Sequence, residues 1–315
     1  VDISQEDGMV SFFVDKKDNG IELYDLIEQL YPDLNGKTVG RAFKARAVTV
    51  NGETAYSDDE VRTGDEVCIY VAPDALDANL TPAVVFQDEN LLVVDKPAGL
   101  LSLSDADEPN ALQMVESIMK QRGEYDLNAL ILPYLVYPLD RYVSGLLLFA
   151  KHEDAYLFLT EALAQRRVAR YYTCPVRGRA EDAEELLAYH VRDKAGRRAG
   201  ILDKSRKNAK PIVTRYQTIA RGKDMTLVRV RAVTNMLHQV RAHLAFEGLP
   251  VLGDDLYGDA RFNKHFGALN LCLWLDTIVF EVGTGQGFDY LNGQRFESGE
   301  CSFVKSVYDD GLMDA

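Results

Sequence analysis

The stretch YPLDRYVSGLLLFAK, Tyr137 to Lys151, constrains this chain more than any other. From Val143 to Ala150 it is strongly apolar, which reads as a strand buried at once in a core. Directly before it, Pro138-Leu139 opens like a turn and sets one carboxylate beside one guanidinium, Asp140-Arg141. A chain written this way holds a charged group at the lip of a core, and the strand behind it fixes the position of that group. The open questions are then what Asp140 acts on and which other stretches meet it.

A length of 315 residues accommodates one small and one large domain. No apolar run approaches the roughly 18 residues of a membrane span, so no membrane partner is expected. The opening VDISQEDGMV has neither a basic n-region nor an apolar h-region and does not read as a signal peptide. Cys68, Cys174, Cys272 and Cys301 show no C-x-x-C spacing. They read as reduced thiols of a cytoplasmic protein, not as a zinc site or a disulfide frame. Neither G-x-G-x-x-G nor a P-loop is present, so the sequence makes no case for a nucleotide cofactor. The net charge of −14 argues against a nucleic-acid partner, because phosphates are bound by Lys and Arg. Two stretches are nevertheless locally basic. Residues 36–52 carry Lys37, Arg41, Lys44 and Arg46 without an acid, and residues 192–210 carry eight basic side chains against Asp193 and Asp203. On charge alone these are either solvated faces or patches that capture a polyanion.

In chain order, residues 10–14 read as a short strand, residues 20–31 as a helix, and residues 38–45 as a second, basic helix. AVTVNGETA follows, with Asn51-Gly52 a strong hairpin signal, then a turn at Thr63-Gly64-Asp65 and a strand to Val71. This order resembles the S4-type RNA-binding module. The resemblance implies RNA contact through Arg41, Lys44 and Arg46. Residues 73–81 read as an acidic linker. Beyond it, short strands alternate with helices at 110–122 and 154–167, and strands follow at VARYYTCPVRG, KPIVTRYQTIA and MTLVRVRAVT. NMLHQVRAHLAFEG reads as a helix, LPVLGDDLYG as a loop and LNLCLWLDTIVFEV as a strand pair. The segment 291–315 reads as a polar tail, loose from about Ser298. The expected fold class is α+β: a mixed, mainly antiparallel central sheet with flanking helices, plus a small α/β module.

Three separated stretches, DENLLVVDKPAGLLS, LDRYVSGLLLFAK and HQVRAHLAFEGLPVLGDDLYG, stand in the order and spacing of the RluA-type pseudouridine synthases. Residues 82–290 therefore resemble their catalytic domain, with 1–72 as the S4-type module. The resemblance implies isomerisation of uridine in RNA without metal or cofactor. The N-glycosidic bond is cut, the uracil turns in place, and C5 bonds to the ribose. It makes Asp140 the essential carboxylate, acting as nucleophile or as base. Arg241 of H-Q-V-R is its partner, since an adjacent guanidinium favours the charged form of a carboxylate. Tyr172 contacts the uracil. Arg141, His238, Gln239 and Lys207 are expected to face RNA, and Lys96 and Lys151 to be structural or to touch phosphate.

The chain departs from that family around Asp140. Relatives carry an arginine two residues before the aspartate, where this chain has Pro138. Tyr137 or Tyr142 could then stack on the flipped base. The expected protein is a cytoplasmic, monomeric enzyme acting on ribosomal or transfer RNA. The alternative is a non-catalytic RNA-binding paralogue serving ribosome assembly or RNA folding.

Overall fold

The computed structural model describes residues 4–6, 9–31, 39–40, 42–43, 47–70, 80–104, 108–193, 198–268, 270–283 and 287–309. Two compact units partition the chain, Val1–Leu80 and Thr81–Ala315.

In the first unit, strands β1 (Ser4–Glu6), β2 (Met9–Phe13), β3 (Val48–Val50), β4 (Glu53–Thr54) and β5 (Glu66–Tyr70) form one sheet in the order β1-β2-β5-β3-β4. Helix α1 (Leu23–Leu30) buries Leu23, Leu26 and Ile27 on one face, and these share a core with Phe12, Val48, Val67 and Ile69. The β3–β4 turn is Asn51-Gly52, both at positive φ, the geometry that matches the twist of a two-residue hairpin. Asn51 also locks this turn to the next. Its Nδ2 donates to Asp65 Oδ1 at 2.9 Å and its Oδ1 accepts from the Glu66 N–H at 3.0 Å. The basic residues Arg41, Lys44 and Arg46 lie outside the described residues.

The second unit is built on an 11-stranded sheet. Its first strands are β6 (Ala83–Gln87) and β7 (Leu91–Lys96), followed by β8 (Tyr134–Leu135) and β9 (Val143–Ala150). A long meander then runs through β10 (Val168–Arg177), β11 (Ala183–Arg192), β12 (Ala199–Leu202), β13 (Lys210–Arg221) and β14 (Met225–Ala232). The last strands are β15 (Leu273–Phe280) and β16 (Arg295–Glu297). The order is β12-β11-β13-β14-β10-β15-β9-β7-β6, with β8 on β9 and β16 on β15. Among the paired strands described in this sheet, β9 and β15 run parallel and the other pairs are antiparallel. Flanking helices are α2 (Ala111–Gln121), α3 (Glu153–Ala164), α4 (Gln239–Phe246), α5 (Ala260–His265) and α6 (Ser302–Asp309). Asn110 caps α2 by accepting from the Gln113 N–H, as the sequence places it just ahead of a helical apolar face. The fold is the expected α+β class with a mainly antiparallel sheet. No described helix is long and apolar enough to cross a membrane.

Three expectations are corrected, and one strand not read from the sequence is added. LNLCLWLDTIVFEV is one strand, β15; its partner is β16, which falls in the supposed polar tail. The described part of that segment carries β16 and α6. Phe296 is buried between Phe86 and Phe280, and α6 lays Val304, Val307 and Tyr308 against Leu227, Leu252 and Phe262. Three apolar residues at helical spacing sufficed, although the surrounding composition is polar. AEELLAYHVR, unassigned in the sequence, is strand β11, burying Leu186, Ala188 and His190 by alternation. The helix read from Asn235 starts only at Gln239, because His238 takes a left-handed conformation, φ 50°.

The β9–β15 pairing depends on Gly145. At φ 107° it lies opposite Leu275, and a Cβ there would stand 2.2 Å from the Leu275 carbonyl oxygen. Gly145→Ala should therefore destabilise the second unit by about 2–5 kcal/mol, combining backbone strain with overpacking. Denaturant unfolding followed by the fluorescence of Trp274, the chain's one tryptophan, should show the midpoint fall accordingly.

Candidate active site

Asp140 sits where the chain turns into β9, and its backbone is pinned on both sides. The Asp140 carbonyl accepts from the Val143 N–H at 3.1 Å. Upstream, the buried Ser102 hydroxyl donates to the Leu139 carbonyl at 2.7 Å and accepts from the Leu139 N–H at 2.9 Å. Downstream, the Arg141 carbonyl accepts from Lys96 Nζ at 3.0 Å. Lys96 is fully buried and also donates to the Pro97 and Leu100 carbonyls. The Asp140 side chain remains 30% exposed, facing an open cleft of about 470 Å³. Pro138, Arg170, Tyr172, Asn235, His238 and Arg241 are among the residues lining it.

Arg241, on α4, reaches Asp140 from a fixed base. Its Nε and Nη2 donate to the two oxygens of Asp254 at 2.8 and 2.7 Å, a bidentate pair. Its Nη1 is left to donate to Asp140 Oδ2 at 2.8 Å. The Asp254 side chain is fully buried, and its Oδ1 also accepts from the Leu256 and Tyr257 N–H groups, both at 2.9 Å. The loop closes this tightly because residue 258 is glycine; a Cβ would lie 2.0 Å from the Asp254 carbonyl oxygen. Burial alone would pull the Arg241 pKa down. The pairing with Asp254, then with Asp140, outweighs it and holds the guanidinium above its ordinary range. Burial likewise pushes the Asp254 carboxyl up, but Arg241 and the two N–H groups hold it below the usual carboxylate range.

His238 faces the other oxygen of Asp140, with Nε2 3.7 Å from Oδ1. Its Nδ1 is 2.9 Å from the Tyr257 hydroxyl, which accepts from the Ala199 N–H at 2.7 Å. The direction of the His238–Tyr257 hydrogen bond follows the imidazole tautomer, since the hydroxyl can donate or accept a second time. Burial lowers the His238 pKa, which favours the neutral form.

Tyr172 projects into the cleft from β10, and burial raises its phenol pKa. Tyr171 takes the opposite face of the strand, against Arg229 and Arg231. The structure thus brings Asp140, Arg241, Tyr172 and His238 to one cleft. Of the other expected residues, Gln239 also lines the cleft, whereas Arg141 and Lys207 are not among the lining residues. Gln239 is buried with its amide engaged by Thr234, Val213 and Thr214. Arg141 turns away to the Gly99 carbonyl and Glu108. Lys207 is exposed in the turn between β12 and β13, apart from the cleft lining. Lys151 is held by the Asp88 carbonyl and Glu124. Tyr137, a candidate to stack on a base, is a core residue whose hydroxyl donates to the Leu146 carbonyl at 3.0 Å.

A model of the RNA pseudouridylate synthase family matches residues 90–246. The uncharacterized RNA pseudouridine synthase YlyB of Bacillus subtilis is 32% identical over 217 residues, covering 67% of this chain and 70% of that protein. The chain belongs to the RNA pseudouridine synthase family. Ribosomal large subunit pseudouridine synthase D of Xanthomonas campestris is 28% identical, over 75% of this chain and 70% of its own. Synthase C of Rickettsia conorii is 26% identical, over 78% and 87%. In fold, the chain is similar to human RNA pseudouridylate synthase domain containing 4, with a TM-score of 0.59 at 21% identity over 74% of this chain and 94% of that one.

Three residues of this synthase's cleft region went unassigned in the sequence. Asp254 stands in the quoted G-D-D-L-Y-G, but no spacing rule ties it to Arg241. Tyr257 belongs to the same motif and meets His238 only through the loop's closure. Arg170 was the most readable, being two residues before Tyr172 and so on the same strand face.

Asp254→Asn should expose how much rests on the buried pair. Removing one partner of such a pair costs about 3–5 kcal/mol. The folded Asp254 has a lowered pKa, so its contribution is complete above the unfolded carboxyl value of about 3.9 and is lost as pH falls through the folded one. The variant should therefore be less stable at neutral pH and lose less additional stability on acidification. Denaturant midpoints measured across a pH series will check both.

Proposed function

We propose that this synthase isomerises uridine in structured RNA, ribosomal RNA foremost, with Asp140 as the essential carboxylate. The observation that carries this reading is the 2.8 Å pair between Asp140 and Arg241 in an open cleft, braced from behind by Asp254. A carboxylate so held has one oxygen engaged and keeps part of its surface open to a ribose. It can bond to C1′ or take a ribose proton; either way the N1–C1′ bond breaks and a C5–C1′ bond forms. Tyr172 presents an aromatic ring where a flipped base would enter. His238 stands beside the free oxygen of Asp140, with Nε2 3.7 Å from Oδ1.

Ribosomal RNA is favoured as substrate by the names of the synthases C and D from Rickettsia and Xanthomonas. The first unit acts as an S4-type module bringing Arg41, Lys44 and Arg46 to the RNA, followed by a linker at 73–81. The protein works as a cytoplasmic monomer. The rival reading, a non-catalytic RNA-binding relative, rests on Pro138 standing where the family has arginine.

Asp140→Asn separates the two. With chemical mapping of pseudouridine in cellular RNA, the variant should erase specific sites that the wild type modifies. In single-turnover assays it should slow the reaction by about 10³-fold or more. RNA affinity and its salt dependence should stay within about threefold, since phosphate contacts set both. An unchanged map with intact RNA binding would establish the non-catalytic reading.

A further inference from the structure

The cleft holds a second buried guanidinium that the Asp140–Arg241 pair does not use. Arg170 is 4% exposed and lines the cleft from β10. Its Nη2 donates to Asn235 Oδ1 at 3.0 Å, and its Cζ lies 5.0 Å from the centroid of the Tyr137 ring. Its Nε is buried and has no hydrogen-bond partner. Among the described residues no carboxylate pairs with it. Arg241, the other buried arginine, has two aspartates within 2.8 Å. A buried cation lacking an acid is costly, and such groups concentrate at functional sites.

The chemistry of the cleft calls for a cation there. Pseudouridine formation breaks N1–C1′, and the bond pair leaves with the base. The detached uracil is then an anion, with charge spread over N1, O2 and O4. This holds whether Asp140 bonds to C1′ or removes a ribose proton. When C5 bonds to C1′, the pair held by the base forms the new bond. In the covalent route the Asp140–C1′ bond breaks and its pair returns to the carboxylate; in the other route Asp140 gives its proton back to C2′. In both the C5 proton moves to N1. A fixed donor aimed at the base stabilises the anion without reorganising. Arg170 and Tyr172 are two apart on one face of β10, so the guanidinium adjoins the aromatic ring proposed to meet the base.

We propose that Arg170 is a catalytic residue that holds the detached uracil as its anion, its guanidinium supplying the positive charge beside the base. This rests on the synthase reading of Asp140. It gives the cleft a division of labour: Asp140 with Arg241 acts on the ribose, and Arg170 with Tyr172 acts on the base.

Two variants test it. Arg170→Gln keeps an amide donor but removes the charge. Asn235→Asp leaves the guanidinium in place and gives it a carboxylate partner, so it stands in if Arg170→Gln does not fold. In single turnover on RNA, each should slow pseudouridine formation by about 100-fold while RNA affinity stays within about threefold. A second readout needs no RNA. Titration calorimetry at mildly alkaline pH compares uracil with 5-nitrouracil, which is anionic there. The wild type should prefer the anion by about tenfold, and both variants should lose that preference. An unchanged turnover rate in the variants overturns the assignment, as does equal preference in wild type and variants. If the wild type prefers the anion through Arg170 yet forms no pseudouridine, the anion site stands and the synthase reading of Asp140 falls.

Discussion

A guanidinium presents its donors in a rigid plane, and what it grips on one edge decides where the other edge points. Arg241 is gripped by Asp254 on the edge formed by Nε and Nη2, which leaves Nη1 facing Asp140. The buried carboxylate thus does for Arg241 what packing does for an apolar side chain: it removes rotational choice. The desolvation of both ions is offset by the bidentate contact and by two backbone N–H groups on Asp254. The arrangement also explains why α4 can be buried along most of its length while carrying Gln239, Arg241 and His243. Each of these meets a partner supplied by the sheet or the loop, Thr214 serving both Gln239 and His243.

The rest of the unit keeps this pair and Asp140 in one place. β9 and β15 start side by side because they run parallel, with Val143 opposite Leu273. β10 returns antiparallel on the other side of β15 and carries Tyr172 opposite Leu275. One strand therefore separates the element that follows Asp140 from the element that bears Tyr172. Ser102 and Lys96 fix the turn before β9 by binding main-chain carbonyls, so Asp140 is free of any structural duty of its own beyond the Arg241 contact.

Much of the frame was legible in the sequence, because it is written in short-range chemistry. The apolar run behind Asp140 and the Asn51-Gly52 turn each obey local rules. The Asp140–Arg241 pair was legible only through resemblance, since 101 residues separate the two. What escaped reading depended on closure in three dimensions. Gln239 and Arg141 look like exposed polar residues until their partners Thr214 and Gly99 arrive from other elements. Tyr137 beside a catalytic motif looks available to a ligand, but its neighbours place it in the core. The C-terminal strand and helix were hidden because a few apolar residues among Gly, Ser and Glu carry little compositional signal.

The parallel pairing of β9 with β15 also sets when the enzyme comes into being. Val143 and Leu273 are 130 residues apart, and closing so long a loop is entropically costly until the chain between them is compact. The meander from β10 to β14 is antiparallel between near neighbours and can form while the ribosome is still adding residues. Asp140 emerges before the meander, yet the strand that completes the sheet behind it is translated after it. A nascent chain therefore carries Asp140 without a finished cleft until β15 has been added, 130 residues after Val143.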